Sequence, residues 1–196
     1  MISLCSSISN LPTSCFPVTI RTAQENDIHQ LTDIVTKSFY PPEKSWRWLY
    51  NLWKFSIHED LRHRLHLNSP EYECFVATIK IFDGDDEQEL LVGTVEIAIR
   101  SQLYFAKKNN KSYPYISNLA IHSEYRRQGI ANKLLKQCEQ TALEWGLSDI
   151  CLHVLENNYP AQQLYQKNGY QLAQIDSTMI SWLFNRPKRC FLIKSL

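Results

Sequence analysis

Between residues 113 and 156 the apolar pattern changes period twice, and this limits the architectures open to the chain more than any other feature. Residues 113–121 (YPYISNLAI) read as a strand. Residues 127–145 then carry Ile130, Leu134, Cys138, Ala142 and Trp145 on one face of an amphipathic helix, with Gly146 placed as its C-terminal cap. Residues 149–156 (DICLHVLE) are strand again. A helix with a single apolar face must lay that face on something, and the strands on either side of it supply a sheet.

The remainder of the chain fits around this unit. A short strand is expected near residues 17–21, followed by a helix over 24–39 whose Ile28, Leu31, Ile34, Val35 and Phe39 follow helical period until Pro41-Pro42 stops it. A second helical stretch over 45–67 is rich in Trp46, Trp48, Tyr50, Trp53 and Phe55, which suit either a core or the wall of a substrate groove. Strands over 72–82 and 89–100 form an antiparallel hairpin through the acidic loop 83–88. A short helix over 160–168 ends at Gly169, and strands over 170–175 and 189–193 complete the order β-α-α-β-β-β-α-β-α-β-β. The fold class is therefore mixed α/β, one sheet flanked by helices. A flexible leader over 1–16 is expected to precede one domain over 17–196.

The 196 residues hold 21 basic and 20 acidic groups, a formal charge of +1. So even a balance supplies no broad attraction for nucleic acid or anionic lipid, and a charged ligand needs a local cluster. No apolar run reaches the ~18 residues of a membrane span. Six cysteines without a C-x-x-C pair read as reduced, buried thiols. The uncharged, Ser-rich start lacks a secretory or transit signature, which points to a cytoplasmic protein, with a plastid as the alternative. His58, His63 and His66 do not make a convincing metal set.

Glycine is scarce, with only five in the chain. Gly84 is expected to turn the hairpin, Gly93 to sit at a strand irregularity, and Gly146 and Gly169 to end helices. Gly129 has no turn or cap to explain it. It belongs to Arg126-Arg127-Gln128-Gly129-Ile130-Ala131, between a strand and the start of a helix. A helix start offers unpaired backbone N–H groups and the positive end of its dipole, so a pyrophosphate can settle there if the backbone is bare enough to approach. The spacing is neither a Walker loop nor G-x-G-x-x-G.

About thirty residues downstream lies Asn157-Asn158-Tyr159-Pro160-Ala161-Gln162-Gln163-Leu164-Tyr165-Gln166-Lys167-Asn168-Gly169-Tyr170. With residues 118–121 (NLAI), these two motifs resemble the GNAT superfamily of acetyl-CoA-dependent N-acetyltransferases. Its phosphate loop R/Q-x-x-G-x-G/A is matched from Arg126 to Ala131. Its second signature is matched by Asn158, Tyr165, Gly169 and Tyr170. The resemblance covers roughly residues 18–193, and the texture of 113–170 is most like the plastid and cyanobacterial branch, whose plant members acetylate lysines and protein N-termini.

The resemblance implies the GNAT fold, with a mostly antiparallel twisted sheet. It implies that the backbone of Leu119, Ala120 and Ile121 pairs with the pantetheine arm, that Arg126, Arg127, Gln128, Gly129, Ile130, Ala131 and Asn132 form the pyrophosphate cradle, and that Asn158 contacts the cofactor arm. Tyr165 then stands beside the thioester sulfur as the acid that protonates the departing thiolate, while a backbone N–H of 119–121 holds the oxyanion. The reaction needs no metal. For the base, His153 has an unperturbed pKa of ~6.5 suited to proton removal near neutrality. Glu96 is a second candidate, and Asn118 is a candidate to orient a relay water. Trp182, Phe184, Arg186 and Lys188 lie where acceptor access is shaped. The acceptor is expected to be a protein or peptide amine, with a small-molecule amine and a non-catalytic acetyl-CoA sensor as alternatives. A monomer or a homodimer suits this reading.

Overall fold

The computed structural model describes residues 17–40, 47–67, 69–83, 86–101, 112–176 and 187–196. The leader 1–16, the hairpin tip at Gly84, and Trp182, Phe184 and Arg186 lie outside the described residues.

Strands β1 (Thr19–Thr22), β2 (Tyr72–Asp83), β3 (Asp86–Ser101), β4 (Ser112–Ile121), β5 (Asp149–Leu155), β6 (Gln171–Asp176) and β7 (Arg189–Ser195) form one sheet in the order β1-β2-β3-β4-β5-β7-β6. Every pairing is antiparallel except β4 with β5. Helices α1 (Ile28–Phe39) and α2 (Arg47–Leu67) precede β2, α3 (Ile130–Glu144) crosses from β4 to β5, and α4 (Tyr159–Lys167) leads into β6. This is the mixed, mostly antiparallel sheet flanked by helices that the resemblance implies.

Each face of the sheet buries its own core. One cluster gathers Val95, Ile97, Ile116, Ile150 and Leu152 beneath Ile130, Leu134, Leu135 and Cys138 of α3. The other places Cys74, Val76, Leu91 and Ala120 beneath Leu31 and Ile34 of α1 and Leu61 of α2. Arg21 ties β1 to its surroundings, donating to both Asp27 oxygens at 2.7 and 3.0 Å and to Glu89 at 2.8 Å.

Several expected boundaries shift for local physical reasons. The first helix starts at Ile28, four residues late, because 25–27 form a 3-10 turn with Asp27 accepting from the Gln24 backbone. The loop expected over 83–88 is mostly strand: β2 and β3 stay paired up to Asp83 and Asp86. The helix expected from Arg127 begins at Ile130, since Arg127 (φ 65°) and Gly129 (φ 79°) both hold left-handed backbone that no right-handed helix accommodates. Gly129 is thus the N-cap of α3, which supplies the turn that the sequence left unexplained. Gly146 (φ 73°) closes the same helix, its N–H donating to Leu143 O while that of Leu147 reaches Ala142 O.

Two irregularities shape the middle of the sheet. Opposite Val95 the register of β3 against β4 slips by one residue, and Asn118, at φ 52°, takes up the extra length in β4. Beyond this bulge β4 no longer follows β5, for the two pair only at Tyr115 with Cys151 and Ile116 with Leu152. The sheet opens there.

Candidate active site

A cleft of about 600 Å³ occupies the opening. Leu119, Ala120 and Ile121 form its floor, Arg126, Arg127 and Gly129 to Asn132 one end, and Asn158, Ala161, Leu164 and Tyr165 the far wall, with Ser38 and Phe39 of α1 closing over it. Every residue expected at the cofactor is in this lining except Gln128, whose side chain is exposed to solvent.

The two helix starts that border the cleft are built differently. Asn158 caps α4, accepting from the Ala161 N–H at 3.3 Å. That bond occupies its oxygen and leaves the amide nitrogen for a ligand. No side chain caps α3, so among the described residues the first N–H groups of that helix have no protein acceptor. A Cβ added at Gly129 would meet nothing within 4 Å. Glycine is therefore required here by its backbone angle, and the open space above it is the cleft. Arg126 folds back, donating through Nε to Ile121 O at 3.1 Å, which fixes the loop against the end of β4. Asn168 donates to Asn132 at 2.9 Å and joins the two walls.

Tyr165 is 7% exposed. Burial pushes its phenol well above the usual range, and the nearby Tyr115 hydroxyl adds to that, so Tyr165 is held protonated at neutral pH.

The two candidate bases fare differently. Neither side chain lines the cleft, and Glu96 is 1% exposed. Asn118 Nδ2 donates to its Oε1 at 2.8 Å, and the Arg64 guanidinium of α2 lies 3.3 Å from each carboxylate oxygen. Its Oε1 thereby holds the β4 bulge and the pair with Arg64 pins α2 to the sheet, while the buried Oε2 has no hydrogen-bond partner among the described residues. Asn118, considered for a relay water, is the other half of that brace.

His153 is engaged at both ring nitrogens. Nε2 lies 2.9 Å from Asp176 Oδ2, and Nδ1 lies 3.0 Å from the Tyr115 hydroxyl. A carboxylate accepts, so Nε2 carries the hydrogen and Nδ1 faces Tyr115 with its lone pair. Asp176 is itself steadied by Gln174 Nε2 at 3.1 Å. Burial and the charge of Arg189 lower the His153 pKa against the opposing pull of Asp176. Sequence reading missed Tyr115 and Asp176. They come from strands 38 and 23 residues away, and only the sheet brings them to His153.

The Acetyltransferase (GNAT) family model matches residues 29–170. The chain is 24% identical over 176 residues to GCN5-related N-acetyltransferase 10, chloroplastic, of Arabidopsis thaliana, a match covering 87% of this chain and 68% of that protein. It is 33% identical over 104 residues to thialysine N-epsilon-acetyltransferase of Bos taurus, covering 53% and 58% respectively. The chain spans between 21% and 68% of the length of such curated relatives. Among solved structures, the PaiA N-acetyltransferase of Thermoplasma acidophilum in complex with coenzyme A superposes with a TM-score of 0.64 at 18% identity, over 92% of this chain and 99% of that one.

Proposed function

The chain belongs to the GNAT family of acetyltransferases, and on that premise we propose that it moves acetyl from acetyl-CoA to a primary amine of a protein, a lysine ε-amine or an N-terminal α-amine. The observation that carries this reading is the cleft between β4 and β5, in which an uncapped helix start, a bulged strand and a buried tyrosine hydroxyl converge.

Acetyl-CoA supplies a thioester, an acyl group already activated for attack by an amine. The first N–H groups of α3, with Arg126 and Arg127 beside them, suit its pyrophosphate, and the left-handed Gly129 leaves room for close approach. The free amide of Asn158 and the main chain of Leu119 to Ile121 suit the amide-bearing arm. As the amine nitrogen bonds to the carbonyl carbon and the carbon–sulfur bond breaks, a main-chain N–H of 119–121 steadies the charge on the carbonyl oxygen. Tyr165 gives its proton to the departing sulfur. The proton lost by the amine passes through the Tyr115 hydroxyl to His153 Nδ1. A lysine amine, which ordinarily titrates at ~10.4, depends on that step more than an α-amine at ~7.7–8.

The chloroplastic names of the Arabidopsis relatives favour a plastid over the cytoplasm for this chain. The match to a thialysine acetyltransferase keeps a small amine as the competing acceptor. Purified protein incubated with acetyl-CoA and separate pools of N-terminal peptides, internal-lysine peptides and small amines, with the products read by mass spectrometry, tests the assignment. Acetylated peptides are expected. Transfer confined to small amines would replace this reading, and binding of acetyl-CoA without any transfer would leave only the sensor.

A further inference from the structure

Two arginines, Arg100 and Arg189, flank the His153 relay. Arg100 lies over the Tyr115 ring, its guanidinium carbon 4.1 Å from the centroid. Arg189 pairs across the sheet with Leu155 on one side and Asp176 on the other, two residues from Phe191, whose ring lies 4.9 Å from that of His153. Residues two apart in a strand share a face, so Arg189 and His153 look out on the same side of the sheet. Neither arginine forms an ion pair among the described residues.

The carboxylates nearest the relay are hydrogen-bonded to other groups, although that of Asp176 stands directly across from Arg189. Both oxygens of Asp176 are used, by His153 and by Gln174, and Glu96 is held by Asn118 and Arg64. Around His153 two guanidinium groups therefore outnumber the one carboxylate bonded to it, Asp176, although the whole chain is nearly neutral.

We propose that Arg100 and Arg189 form a carboxylate-binding subsite that selects acidic peptides, in which Asp or Glu stands next to the amine to be acetylated. The inference rests on the transferase reading and deepens it. A guanidinium matches a carboxylate with charge-assisted hydrogen bonds, whereas a polyamine or a lysine-rich peptide meets like charge in the same place.

The test uses the full chain with acetyl-CoA and three peptides differing only in the residues next to the reactive amine, Asp/Glu, Gln or Lys, together with spermidine. In the unmodified protein kcat/KM for the acidic peptide is expected to exceed that for the Gln peptide by about tenfold or more, with the Lys peptide and spermidine poorest. The acidic-to-Gln ratio should fall toward one in the Arg100→Gln/Arg189→Gln double variant and with added salt. It should invert in favour of the Lys peptide in Arg100→Glu/Arg189→Glu. Because the ratio is taken within each variant, a general loss of activity does not mimic the effect. Transfer to all three peptides at equal rates, or an acidic preference that survives charge reversal, overturns the subsite and leaves the transferase standing. Transfer to no amine sinks both.

Discussion

Tyr165 is suited to act as an acid because of where it lies. A phenol at 7% exposure keeps its proton at neutral pH and can give it up only to something more basic than itself or made so in the reaction. Replacing it with Phe removes one oxygen and nothing of the packing. Tyr165→Phe should cut kcat by ~10²–10⁴ with little change in acetyl-CoA affinity by calorimetry; an unchanged kcat would move the acid elsewhere. His153 makes a second argument at this scale. Its pKa is lowered by burial and Arg189 and raised by Asp176. The neutral ring is the base, so kcat/KM should fall as pH drops through a value below the ordinary ~6.5. Asp176→Asn removes the raising influence. The acid limb should then move to still lower pH while the plateau drops, because nothing holds the hydrogen on Nε2. A lower plateau with an unmoved limb would make Asp176 merely structural.

Elements place these groups, and the decisive ones are irregular. Strands and helices were legible because apolar residues repeat at fixed period, and the cofactor residues because the 126–131 and 158–170 motifs are local in sequence. Positive backbone angles at Arg127 and Asn118 leave no such trace, so the start of α3 and the bulge in β4 were not legible. The setting of Glu96 was not legible for a related reason: its brace, Arg64, comes from a helix 32 residues away. Gly93 shows how closely the bulged strands approach. A Cβ there would lie 2.7 Å from Ile121 Cδ1 and 3.3 Å from Ala120 O, on the strand that floors the cleft. Relief would come from turning the end of the Ile121 side chain aside and from a shift of about a few tenths of an ångström at the Ala120 carbonyl of β4. Gly93→Ala is expected to cost about 1–3 kcal/mol in urea unfolding and to raise KM for acetyl-CoA more than it lowers kcat. A stable variant with unaltered KM would show that β4 yields without disturbing the cleft.

On the scale of the molecule the cleft is a seam. Strands β1 to β4 make one half of the sheet and β5, β7 and β6 the other, and the halves share two register pairs, at Tyr115 and Ile116. Helix α3 and the Asn168 to Asn132 hydrogen bond supply further joins. A ligand lying between Leu119 to Ile121 on one side and Asn158 to Tyr165 on the other would bridge the halves where the strands have parted. Binding to the folded state alone adds RT ln(1 + [L]/Kd), about 2.7 kcal/mol at a hundredfold excess over Kd. For a chain of this length each kcal/mol is worth ~2–4 °C, so acetyl-CoA at that level should raise Tm by about 5–10 °C. The location of the protection matters more than its size. Amide exchange should slow at Leu119 to Ile121, at the start of α3 and along α4, and change little in β1, which lies at the far edge of the sheet. A rise in Tm without slowed exchange on both sides of the opening would place the ligand outside the seam, and the assignments of Asn158, Tyr165 and the α3 start would fall together.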